Sequence, residues 1–175
     1  MPFILGAIAL LGAAYMWYIR AKGAADMAGE LMNAAGDVRS AARRFGYKLR
    51  KREHPVDGID EPIVAAAGIA EAFISLDDLP TRGQRTGILQ GLQKAYRTDL
   101  NGAEEAAVLG RWLVAQCGTP DAAITRIVKK LITLGGQGEV QPLLEVLNTA
   151  ASAEGGSLGP RQQEALQEIA RRFGL

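Results

Sequence analysis

Few residues in this 175-residue chain are of a kind that does chemistry. His54 is the only histidine and Cys117 the only cysteine. A Ser-His or Cys-His nucleophilic pair would have to use His54. That residue sits at the end of a basic stretch, in the turn-forming run His54-Pro55-Val56-Asp57-Gly58, which predicts an exposed linker. Cys117 follows Trp112-Leu113-Val114-Ala115-Gln116, has no second cysteine to pair with, and is expected to be a buried structural thiol. The usual Cys/His zinc sets are excluded by count. Asp77-Asp78 with Glu71, and Glu104-Glu105, offer hard oxygen ligands. Calcium takes about six to eight converging oxygens, and these carboxylates are too few and too dispersed, so helix caps and solvated faces are their expected roles. Gly135-Gly136-Gln137-Gly138 lacks the Gly-Lys-Ser/Thr ending and the preceding strand of a phosphate loop, and predicts a helix-ending loop instead. No catalytic constellation, cofactor or small-molecule substrate is expected.

The elements that would position any site begin with an apolar run. From Pro2 to Ile19 there is no charged side chain, and Arg20 and Lys22 follow at once. Eighteen helical residues span roughly 27 Å, close to a hydrocarbon core of about 30 Å. A cleaved signal peptide would need a basic segment before the apolar run and small residues at its end. Here no Lys or Arg precedes the run, and Tyr15, Trp17 and Tyr18 close it. These aromatic rings, with Phe3 at the other end, suit membrane interfaces. Residues 1–20 are therefore expected to form an uncleaved anchor, with Gly6, Ala9 and Ala13 as a small-residue stripe for helix packing. The positive flank stays inside, so the amino terminus faces outward and the rest lies in the cytosol. A lone cysteine suits that compartment.

Residues 20–54 carry nine Lys/Arg against four Asp/Glu, whereas residues 55–175 carry eleven against fifteen. The acidic balance of the second part argues against nucleic acid as its partner. The basic part, residues 21–54, reads as an amphipathic helical stalk: Leu31, Val38 and Phe45 recur every seven residues, with Ala35, Ala42 and Leu49 in a second row. This stripe has three possible covers: the following domain, the bilayer surface, or a partner helix. Arg39, Arg43, Arg44, Lys48, Arg50, Lys51 and Arg52 are candidates for lipid-headgroup or partner contact.

Residues 55–175 read as punctuated helix without period-2 alternation. A first helix lies between Ile59 and Leu76 and is broken by Asp77-Asp78-Leu79-Pro80. Thr81 is expected to cap the second, and Asn101, with Glu104 three residues on, the third. Thr119-Pro120 opens a fourth; a fifth runs over about 140–153 and a sixth over 160–173. Short connections between apolar-faced helices predict a compact all-α bundle.

The closing segment TAASAEGGSLGPRQQEALQEIARRFGL, residues 149–175, adds a family resemblance. Its Gly156-Ser157-Leu158 turn, its helix start at Pro160 and its Ile169-Ala170-Arg171-Arg172-Phe173-Gly174-Leu175 ending resemble the TerB-like family. That family includes the tellurite-resistance protein TerB and the amino-terminal region of the membrane-anchored co-chaperone DjlA. Ser75-Leu76-Asp77-Asp78-Leu79-Pro80 looks like a degenerate first copy of the turn, and the resemblance covers about residues 59–175. No J domain follows, and His54-Pro55-Val56 is not the His-Pro-Asp triplet, so no co-chaperone mechanism is implied. The family's turn acids are linked to metal binding, which makes Asp77, Asp78 and Glu154 the metal candidates. An ungapped fit, however, places Gly155 at the family's Asp position and Gln162 at its helix-opening Glu position.

The expected function is that of a non-catalytic interaction protein, single-pass in a bacterial inner membrane, its TerB-like domain on the cytoplasmic face as an accessory subunit of a larger membrane complex. Membrane lipid and another membrane protein are the expected partners. The alternative implied by the resemblance is a metal- or stress-responsive sensor.

Overall fold

The computed structural model describes residues 35–47, 54–77, 79–153 and 158–175. The expected span, with Phe3, Gly6, Ala9, Ala13, Tyr15, Trp17, Tyr18, Arg20 and Lys22, lies outside these residues. So do Lys48, Arg50, Lys51, Arg52, Asp78 and Glu154. Among the described residues no helix is long and apolar enough to cross a membrane. These residues form helices and turns only, as the all-α expectation requires.

One helix organises the rest. Helix α1, Pro62–Phe73, reads PIVAAAGIAEAF and is buried at every position after Pro62. A helix that is apolar all round has no face to give to water and must be enclosed. Pro62 at its first turn needs no partner for a missing N–H, which suits a helix whose preceding Glu61 makes no side-chain cap. Helix α2, Arg82–Tyr96, starts with the expected Thr81 cap: Thr81 Oγ1 accepts from Gln84 N at 3.1 Å and Gln84 Oε1 from Thr81 N at 3.0 Å. It ends at Arg97 in the left-handed region, φ 51°. Helix α3, Leu100–Gln116, is capped by Asp99, whose Oδ1 accepts from Gly102 N at 2.7 Å. The expected Asn101 cap is thus corrected by two residues. Both side chains are cap formers, and the one whose carboxylate also meets Arg44 prevails.

Helix α4, Pro120–Gly135, opens on the Thr119 cap. The glycine-rich segment after it is a single 3-10 turn, Gly136–Glu139, entered through Gly136 at φ 60°. It leads directly into α5, Val140–Ser152. Helix α6, Pro160–Arg172, closes the chain. Helices α3 and α4 cover α1, and α2 and α5 pack on each other along their length.

Both main contacts are made at glycines. A Cβ on Gly110 of α3 would stand 2.6 Å from Gly68 N and 2.8 Å from Ala67 C of α1. A Cβ on Gly87 would stand 2.7 Å from Thr149 O, and one on Gly91 would stand 2.8 Å from Val146 Cα, both in α5. These backbones approach as closely as they do only because no side chain intervenes.

The compact unit runs from Val38 to Leu175. It therefore includes the end of the segment expected as a stalk. Ala41 is fully buried, and Val38, Phe45 and Tyr47 pack on the core. Of the three covers open to the stripe, the domain takes residues 38–47. Ala42 is half-buried and Ala35, from the second row, is exposed. The junction after it is not the exposed linker the turn residues predict. Residues Pro55–Gly58 form a 3-10 turn with Val56 and Gly58 buried, and His54 is half-buried, its Nδ1 accepting from Val56 N at 3.2 Å. An apolar Val56 within reach of the core outweighs the local preference of Pro and Gly for exposure.

Candidate functional site

Three places gather polar side chains: the stalk dock, a tertiary helix cap, and a set of surface grooves. At the dock, Arg44 Nη2 donates to Asp99 Oδ1 at 3.2 Å, and its Nε lies 3.3 Å from Glu105 Oε2. The second contact is an ion pair without hydrogen-bond alignment. Arg44 thus holds the carboxylate that caps α3, a use that competes with the lipid contact expected for it. Arg39 and Arg43 are exposed. Beside Arg44, the Tyr47 ring meets Trp112 edge-to-face at 5.8 Å and its hydroxyl donates to Pro55 O at 2.8 Å. Burial, assisted by the charge of Asp57, pushes the Tyr47 phenol up to about 12.

The second place is built by Asp77. Its Oδ1 accepts from Arg161 N at 3.2 Å and its Oδ2 from Gln162 N at 3.1 Å. These are second- and third-position amides of α6, whose own cap residue, Gly159, has no side chain. Asp77 supplies the missing acceptor from 82 positions away, and a Cβ on Gly159 would overlap its carboxylate. Gln162 completes the arrangement. It is buried, its Oε1 accepts from Gly159 N at 3.1 Å, and its Nε2 donates to Phe73 O at 3.3 Å. Arg161 reaches back to Leu76 O and pairs with Asp121. The metal candidate Asp77 therefore works as a cap whose two oxygens each hold an amide. The other oxygen ligands are dispersed. Glu71 is buried against Arg111 Nη2 at 2.9 Å, and Glu105 faces Arg44. Among the described residues no group of three or more His, Cys, Asp or Glu converges on a metal position.

Among the described residues, four open grooves gather polar side chains. The first, about 650 Å³, lies between α2 and α5 around Ala95, Pro142 and Leu144, with Lys94 paired to Glu145 across it. The second, about 460 Å³, has basic walls formed by Arg126, Lys129, Lys130 and Arg172, with Asp57 the one carboxylate. A third, about 280 Å³, includes Glu139, which accepts from Tyr96 Oη at 3.0 Å. Burial first, then the charge and hydrogen bond of Glu139, drive that phenol far above its ordinary value. The fourth, about 200 Å³, runs along Asp121, Arg161 and Glu168. None of the four contains His54 or Cys117. Cys117 caps the end of α3 and is half-buried where full burial was expected; desolvation raises its thiol pKa, against the opposing charge of Arg126. A raised thiol holds little thiolate, the form that attacks.

Comparison with known proteins adds no relative: no family model, no curated protein and no solved structure matches this chain. The polar sites are thus interpreted on their own geometry. Sequence reasoning missed two of them. Asp77 as a distant cap left one trace, a proline-initiated helix preceded by a glycine that cannot cap itself. The basic groove left another, Arg126, Lys129 and Lys130 at helical spacing opposite the apolar Ile124, Ile127, Val128 and Leu131.

Proposed function

We propose that this chain is a membrane-anchored, non-catalytic interaction protein whose helical, TerB-like domain lies at the cytoplasmic face as an accessory subunit of a larger membrane complex. The observation that carries this reading is the charge-free run Pro2–Ile19, followed at once by Arg20 and Lys22. Three further observations support it. Several carboxylates of the domain that could have formed a site are engaged in caps and ion pairs: Asp77 on α6, Asp99 on α3, Glu71 with Arg111. The four grooves among the described residues are open and hold neither the histidine nor the cysteine. The end of the stalk is bound to the domain through Arg44 and Tyr47. The metal-responsive alternative has less support: Asp77 Oδ1 and Oδ2 each already accept an amide of α6, and Asp78 and Glu154 lie outside the described residues.

The test is extraction and capture of the full chain. The chain should stay with membranes through an alkaline carbonate wash, and in mild detergent it should retain a co-purifying membrane protein at constant ratio. Release by carbonate sinks the anchor, and a chain that migrates alone as a monomer sinks the accessory subunit.

A further inference from the structure

We propose that the groove formed by the Pro55–Gly58 turn, α4 and the end of α6 docks on anionic phospholipid headgroups; this rests on the membrane-anchored reading above. The groove concentrates Arg126, Lys129, Lys130 and Arg172 in about 460 Å³, whereas the surrounding residues 55–175 are acidic overall, eleven Lys/Arg against fifteen Asp/Glu. Its counter-charges are few. Asp57 stands 3.8 Å from Arg126, and Glu168 takes Arg172 at 2.7 Å. Lys130 donates to the carbonyl of Asp57 at 2.9 Å, a bond that leaves its charge uncompensated. Lys129 is exposed with no carboxylate partner among the described residues.

The helix explains why these charges share one wall. Positions 126, 129, 130 and 133 fall on one face of α4, opposite the buried 124, 127, 128 and 131. Like charges three and four residues apart repel, so an external anion would relieve a strain that Asp57 alone does not. Thr125 adds a hydroxyl to the lining, whereas the Thr133 hydroxyl donates to Lys129 O at 3.0 Å, and no aromatic side chain is present. A phosphate needs charge and hydrogen-bond donors only, whereas single-stranded nucleic acid needs a stacking ring.

Lipid is favoured over a soluble anion by chain continuity. Asp57 lies five residues beyond Arg52, the last of the basic run Lys48, Arg50, Lys51 and Arg52. Five residues of chain reach at most about 18 Å, so the groove is joined in sequence to a second basic stretch, and positive charge extends over a longer region of chain than the groove alone. Such a region suits a charged surface better than a single small anion.

The experiment uses the full chain in nanodiscs of neutral phosphatidylcholine or of the same lipid enriched in phosphatidylglycerol. An amine-acylating reagent is applied and labelling is read per lysine by peptide mass spectrometry, with Lys94 as internal reference. Acylation of Lys129 and Lys130 should fall about fivefold on the anionic discs, the effect expected for one cation held at such a surface. Added salt should restore it, and Arg126→Gln with Arg172→Gln should weaken it. Insertion is scored separately, as chain that stays with the discs through a high-salt wash. Chain that does not insert overturns the anchored reading and this proposal together. Chain that inserts but labels equally on both lipids overturns the groove alone. Protection on neutral discs by excess inorganic phosphate, equal to that given by anionic lipid, assigns the groove to a soluble anion and also overturns it.

Discussion

Gly110→Ala tests the central packing of the bundle. The new methyl group would stand 2.6 Å from Gly68 N, 2.8 Å from Ala67 C and 3.0 Å from Gly68 Cα. Non-bonded atoms prefer about 3.5–4.0 Å, so α3 and α1 must separate by roughly 1 Å at their crossing. The obstacle is backbone and cannot rotate away. Helix α1 cannot retreat freely either, because it is buried at every position after Pro62. Overpacking of a core costs about 1–3 kcal/mol, and the upper end applies to rigid backbone. Exchange of a mid-helix glycine for alanine returns about 1 kcal/mol. The net expectation is a loss of about 2 kcal/mol, or roughly 6–10 °C in melting temperature for a unit of this size. Gly68→Ala sharpens the test. Its methyl would meet the Cδ1 tip of Ile127 at 3.0 Å and Gly110 backbone at no less than 3.7 Å. A side-chain tip can yield, so overpacking and propensity nearly cancel. Thermal unfolding of both variants, followed by far-ultraviolet circular dichroism on the full chain in mild detergent, should show a large loss for Gly110→Ala and a small one for Gly68→Ala. A Gly110→Ala melting temperature equal to or above that of the parent would refute the reasoning.

Three further outcomes follow from the polar sites. Asp77→Ala removes the acceptor for two amides of α6 and should cost about 0.5–2 kcal/mol; hydrogen exchange should quicken first at Arg161 and Gln162, and protection there equal to the parent's would show that water replaces the cap without loss. Arg111→Ala leaves Glu71 buried without its cation and should cost about 1–3 kcal/mol, less than a fully enclosed pair because Arg111 is half exposed. The double variant with Glu71→Met should recover most of that loss in chemical denaturation, and no recovery would mean that the pair is not the source. Tyr47 should ionise near pH 12, seen as the difference in phenolate absorbance between the parent and Tyr47→Phe. Because its folded pKa lies above the unfolded value of about 10, the neutral phenol's contribution is complete below pH 10 and is lost as pH rises from 10 to 12. A midpoint at 10 would place the ring in water.

The sequence by itself determined the helices. Period and punctuation were enough for Thr81, Thr119, Pro120 and Pro160, because caps and proline starts act within one turn of chain. The apolar faces of Ile88 and Leu92, or of Ile124, Ile127, Val128 and Leu131, were equally legible and are buried. Charge patterning likewise made the anchor and its side an expectation of sequence alone. Only the tertiary structure decided where polar and small residues act. Asp77 read locally as a helix breaker with a metal candidate's oxygens, and it became a cap only when folding brought α6 to it. Asn101 and Asp99 were equivalent in one dimension until Arg44 was placed beside one of them. Gly110 carries no local signal at all, since what demands glycine there is the backbone of Gly68, 42 positions away. Pro55 to Gly58 kept the turn its residues predict but lost its exposure to a core that Val56 could reach. Local backbone preference is set within a few residues, whereas burial and charge pairing depend on which distant segments meet.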